Sequence, residues 1–179
     1  NHAAALGPIA VTSSLPLRVF TWVIGDMMDF DKAPEYLRKD FVERELHLSP
    51  PFSVWFSRGL SKLSVRLLRA LDCIPVRQGN ELHETYHLSI DSLAQGRSLL
   101  IFPEDPAQAM DELYKMTPFY KGFARLGEMY FEETNRILRF YPLTVHAVQR
   151  KVKFGAAVAF NPENDPVRER IRIKHALES

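Results

Sequence analysis

The amino-acid sequence predicts an α/β fold, a mixed and mainly parallel sheet flanked by helices, on three observations. First, an apolar segment at 73–76, a helical segment at 81–95, a glycine at Gly96 and a strongly apolar segment at 98–102 follow one another. Strand, helix, glycine stop and apolar strand in that order are the pattern of parallel strands covered on both faces. Second, the pattern recurs downstream, with helical spacing over 119–129 and extended runs over 139–145 and 152–160. Third, 179 residues with 46% hydrophobic and 25% charged side chains suffice for one continuous core and leave little for a second. Residues 1–179 are therefore read as a single domain.

From the amino end, residues 3–24 carry one charge, Arg18. A turn or short helix over 8–14 is expected there, then a buried strand over 17–24, where β-branched and aromatic residues concentrate. The acidic run 26–31 reads as a loop into a helix over 34–45, and Pro50-Pro51 ends that region. Over 53–71, Phe56, Leu60, Leu63, Leu67 and Leu71 recur every three or four residues, while Arg58, Lys62, Arg66 and Arg69 repeat on another face. That basic series is either a solvated helix face or a surface resting against anionic headgroups, and composition does not choose between them. The strand at 73–76 ends at Arg77, Gln78-Gly79-Asn80 turns the chain into the helix over 81–95, and a helix over 166–177 closes the domain.

Composition narrows the function classes. A net charge of +1 gives no overall attraction to nucleic acid, so no nucleic-acid partner is expected and any anion affinity must be local. The single cysteine, Cys73, cannot form an internal disulfide and reads as a small buried hydrophobe. His83 and His87 are four apart but lack a convincing third ligand, so no metal is expected. No glycine-rich loop with a Ser/Thr-Lys pair and no Gly-x-Ser-x-Gly elbow occurs. No run of 18 apolar residues is present, so no spanning helix is expected within these residues.

Polar groups interrupt apolar surroundings at three places: Asn1-His2, Arg77 after Ile74-Pro75-Val76, and Glu104-Asp105 after Leu99-Leu100-Ile101-Phe102-Pro103. Carboxyl ends of parallel strands converge on one crevice, so Arg77 and Glu104 are expected near each other. Four blocks in this order resemble the glycerophospholipid acyltransferase family, which includes the 1-acylglycerol-3-phosphate acyltransferases. The family's Asn-His, four residues, Asp is met by Asn1-His2-Ala3-Ala4-Ala5-Leu6-Gly7. Its hydrophobic strand ending in arginine is met by Ile74-Pro75-Val76-Arg77, and its Phe-Pro-Glu-Gly-Thr-Arg-Ser by Phe102-Pro103-Glu104-Asp105-Pro106-Ala107-Gln108. Its apolar-Pro-aliphatic strand resembles Tyr141-Pro142-Leu143, and its Phe-Lys-x-Gly-like helix start resembles Phe119-Tyr120-Lys121-Gly122.

The resemblance implies a fatty acyl transfer from a coenzyme A or acyl carrier protein thioester to a glycerolipid hydroxyl, with no tightly held cofactor. In that scheme His2 is the general base, because an alcohol is a poor nucleophile at neutral pH and a positioned base contributes about 100- to 10,000-fold. Arg77 and Glu104 match positions that serve the acceptor and its phosphate end. Two departures weaken the match: Gly7 stands where the family has the relay aspartate, and Ala107 where it has an arginine. Asp26, Asp29 or Asp105 could supply a substitute carboxylate. Asp105, which replaces the glycine beside Glu104, is preferred, although an N-cap role suits it as well, and Glu104 could instead cap the next helix or pair with Arg77. The sequence thus predicts either an O-acyltransferase with an incomplete His-Asp motif or a catalytically weakened lipid-binding or scaffold domain. Both are expected to be cytoplasmic and peripheral at the cytoplasmic membrane face, in an oligomeric state that the sequence does not set.

Overall fold

Strand Val19–Ile24 (β1) runs parallel to Ile74–Val76 (β2), with Trp22 opposite Ile74, Val23 opposite Pro75 and Ile24 opposite Val76. The computed structural model describes residues 11, 15, 17–44, 46–77, 79–105, 108–111, 116–146 and 151–179. Over these residues the architecture is mixed α/β, with a small parallel sheet and helices. The chain divides into two compact units, one holding Phe20–Ser89 and the other the remaining residues.

In the first unit, Phe20 and Ile74 are buried and the sheet is tied to helix Leu82–Ala94, here α3. The Trp22 indole donates to Ser89 Oγ at 2.8 Å and meets the Tyr86 ring edge-on. Trp22 therefore packs inside its unit, as an indole with a satisfied N–H can. The acidic run forms a tight turn over Gly25–Met28. Helix Ala33–Leu37 (α1) follows and widens into a π-turn over Arg38–Glu43.

Helix Phe52–Ala70 (α2) matches the expected span, but its orientation is unusual. An amphipathic helix ordinarily turns its large apolar residues inward. Here the buried face is Ser53, Ser57, Ser61 and Val65, and Phe52, Trp55, Phe56, Leu63 and Leu67 are exposed. The small side chains let α1 pack closely on α2. Their hydroxyls are satisfied locally: Ser57 donates to Val54 O, Ser61 to Arg58 O, each at 3.0 Å, and Ser53 to Glu43 Oε1 at 2.9 Å.

In the second unit, α3 stops at Gly96, whose φ of +78° lies in the left-handed region that favours glycine. Strand Ser98–Leu100 (β3) follows. The helix expected from 119 begins later, as a tight turn over Lys121–Ala124 that leads into Arg125–Thr134 (α4). Phe119 is instead held extended by an antiparallel bridge to Glu104.

The expected strand 139–145 is two strands, Arg139–Phe140 (β4) and Leu143–His146 (β5), broken beside Pro142, which has no N–H for a ladder. The extended run 152–160 is likewise split, into Lys151–Phe154 (β6) and Val158–Ala159 (β7). β4 pairs with β7 and β5 with β6, both antiparallel, so the later strands do not extend a parallel sheet.

Helix Pro166–Glu178 (α5) starts at Asp165, whose carboxylate accepts from Arg168 N at 3.0 Å. Among the described residues no helix is long and apolar enough to cross a membrane.

Candidate functional site

The segment 102–105 leaves β3 and is clamped to the segment 118–120. Tyr120 N donates to Pro103 O at 2.7 Å, Asp105 N donates to Pro118 O at 2.9 Å, and Glu104 bridges Phe119 between them. Two stretches read separately in the sequence, Phe102-Pro103-Glu104-Asp105 and Phe119-Tyr120-Lys121-Gly122, therefore lie side by side. Helix α5 holds the clamp from behind: Phe119 N donates to Glu178 Oε1 at 2.6 Å, and Lys174 Nζ reaches Glu178 Oε2 at 2.9 Å. The Phe119 ring meets Phe123 edge-on, and Phe123 meets Phe140 in the same way, which extends the support into the core.

Glu104 and Asp105 are both half-buried. Their backbone is engaged in extended pairing with 118–119, and residues 106–107, which an N-cap at Asp105 would serve, lie outside the described residues. The Tyr120 hydroxyl donates to the Asp105 carboxylate, and this hydrogen bond is the main cause that raises the phenol above its ordinary pKa. Asp105 is thus already an acceptor for a phenol proton, a role distinct from orienting an imidazole.

Arg77 follows β2 directly, as the sequence suggests, and belongs to the other unit. Its backbone N–H donates to Thr85 Oγ1 at 3.2 Å, and Thr85 Oγ1 donates to Pro75 O at 2.8 Å, so the strand end is fastened to α3. The exposed guanidinium lies 3.2 Å from Glu81 Oε2 and 3.5 Å from Glu84 Oε2. An anionic acceptor at Arg77 must compete with these two carboxylates. His2, Gly7, Ala107 and most of the expected 8–14 turn lie outside the described residues.

Cys73 is half-buried, and burial, followed by the neighbouring Asp72 charge, pushes its thiol up. A thiol so placed is a poor nucleophile. The His83 ring meets His87 edge-on and its Nδ1 lies 2.7 Å from Asn80 O, both histidines being exposed on the first turns of α3.

Sequence reasoning missed Tyr120 and Glu178 as partners of the 102–105 segment. Glu81 and Glu84 had a readable signal, since Glu81 follows Arg77 by four residues. No family model matches the chain, and no curated protein or solved structure matches it.

Proposed function

We propose that this chain is an acyltransferase-like domain that moves a fatty acyl group from a coenzyme A or acyl carrier protein thioester to a glycerolipid hydroxyl at the cytoplasmic face of a membrane. The observation that carries the reading is the backbone clamp between 102–105 and 118–120, because it unites two stretches that resemble separate acyltransferase blocks. In this reading His2 removes the acceptor hydroxyl proton as the oxygen attacks the thioester carbonyl, and the thiolate leaves. Glu104 and Arg77 serve the acceptor, and Asp105 is the candidate substitute for the missing relay carboxylate. No tightly held cofactor takes part.

Turnover is expected to be slow. Loss of the orienting carboxylate in a comparable hydrolytic triad costs about 10,000-fold, or roughly 5.5 kcal/mol of barrier. A second reading, a lipid-binding or scaffold domain with weakened catalysis, is favoured by the engagement of Arg77 with Glu81 and Glu84 and of Asp105 with Tyr120.

The test follows free thiol release together with acylated glycerolipid, using phosphate-bearing and neutral acceptors. Slow wild-type transfer, abolished in His2→Ala and raised in Gly7→Asp, is the expected result. Robust transfer that survives His2→Ala defeats the mechanism, and no transfer in wild type or Gly7→Asp selects the second reading.

A further inference from the structure

We propose that α2 is an interfacial helix whose outward apolar stripe enters the headgroup layer of an anionic bilayer. With 3.6 residues per turn, Phe52, Phe56, Leu63 and Leu67 fall within an arc of about 60°. That arc lies away from the buried Ser57 and Ser61. Phe52 is 71% exposed, Leu63 65%, and Trp55, beside the stripe, 79%. Single exposed apolar residues are ordinary, but four large ones in register along a helix of 19 residues mark out one apolar face, with Gly59 between its two halves.

Charge selects the occupant. α2 contains Arg58, Lys62, Arg66 and Arg69 and no acidic residue. Arg69 is anchored within its unit, donating to Met28 O at 3.0 Å and lying over the Phe30 ring. Arg58, Lys62 and Arg66 are exposed, have no ion-pair partner among the described residues, and flank the stripe on the side of Trp55. An apolar stripe with aromatic residues and a basic border is the composition of a helix lying in the plane of an anionic membrane. A second copy of the chain would bring like charges together. The proposal rests on the acyltransferase reading only for the lipid acceptor, and it deepens that reading by naming the surface on which the acceptor is met.

The test is flotation of the full chain with vesicles of phosphatidylcholine alone and of phosphatidylcholine mixed with phosphatidylglycerol, without acyl donor. Binding to the mixed vesicles should weaken as salt rises. Each basic residue near an anionic surface contributes about a factor of five, so Arg58→Gln with Lys62→Gln and Arg66→Gln should lose about 100-fold in partition. Trp55→Ser with Leu63→Ser should lose at least about tenfold and keep the wild-type melting curve, since both side chains face water.

Equal, negligible flotation with both vesicle types overturns the proposal. So does a dimer in sedimentation velocity that the Trp55→Ser, Leu63→Ser variant dissociates while flotation is absent. Failed flotation with transfer to a water-soluble acceptor intact refutes the membrane surface alone. Flotation without any transfer supports the membrane surface and refutes the catalytic reading alone.

Discussion

Replacement of Glu169 by glutamine tests the carboxylate that organises the start of α5. Glu169 is the only charged side chain fully buried among the described residues. It accepts from Arg172 Nε at 2.8 Å, from the other arm of the same guanidinium, from Asn164 Nδ2 at 2.7 Å and from Asn161 N at 2.8 Å. These donors, the arginine foremost, hold its pKa at about 2 against an ordinary 4.5. At about 1.4 kcal/mol per pKa unit, the difference corresponds to about 3 kcal/mol of stability at neutral pH.

Because the folded value is depressed, that contribution is fully present above pH 4.5 and is lost as pH falls through about 2. Glutamine keeps the size but presents an N–H₂ to a ring of donors. Glu169→Gln should therefore lower stability by about 3 kcal/mol at pH 7, roughly 6–12 °C in thermal midpoint. The gap from wild type should narrow as pH drops from 4.5 to 2, since only the wild type titrates at this position. Thermal unfolding followed by circular dichroism across that range measures both quantities. Equal stability at pH 7, or a gap that stays constant down to pH 2, refutes the assignment of Glu169 as an ionised structural anchor.

Two further outcomes are expected. A Cβ added at Gly127 would lie 2.7 Å from the Phe160 ring, so Gly127→Ala should destabilise by about 1–3 kcal/mol in chemical denaturation, whereas a neutral result would mean that the ring moves aside freely. Glu81→Gln with Glu84→Gln releases the Arg77 guanidinium and should lower KM for a phosphate-bearing acceptor by up to about fivefold, leaving a neutral acceptor unchanged; an equal change for both acceptors would separate Arg77 from phosphate recognition.

The helices were legible where spacing speaks for itself. The recurrence at three and four residues over 53–71 locates α2 to within a residue at each end. Periodicity says that two faces differ, however, and not which one a neighbour covers. The inward turn of Ser53, Ser57 and Ser61 follows from close packing against α1, a contact absent from any local window. The break between β4 and β5 had a local signal in Pro142, which outweighs the β-forming residues on either side.

Phe119 had no such signal. Its extended state comes from Glu104, fifteen positions earlier, and from Glu178, near the far end of the sequence. For the same reason the strand-end positions of Arg77 and Glu104 could be read locally, while the neighbours that now occupy their surroundings could be read only in part.

The reversed facing of α2 changes what sequence drift can do along it. At Ser53, Ser57, Ser61 and Val65 any bulkier side chain meets a packed neighbour, so these unassuming positions restrict substitution most tightly. At Phe52, Trp55, Leu63 and Leu67, which look like the hydrophobic signature of the helix, folding itself places little restriction on what stands there. Persistence of large apolar residues at those four positions in descendants of this sequence would therefore record selection for something outside the folded chain, whereas persistence of the serines would record only the fold.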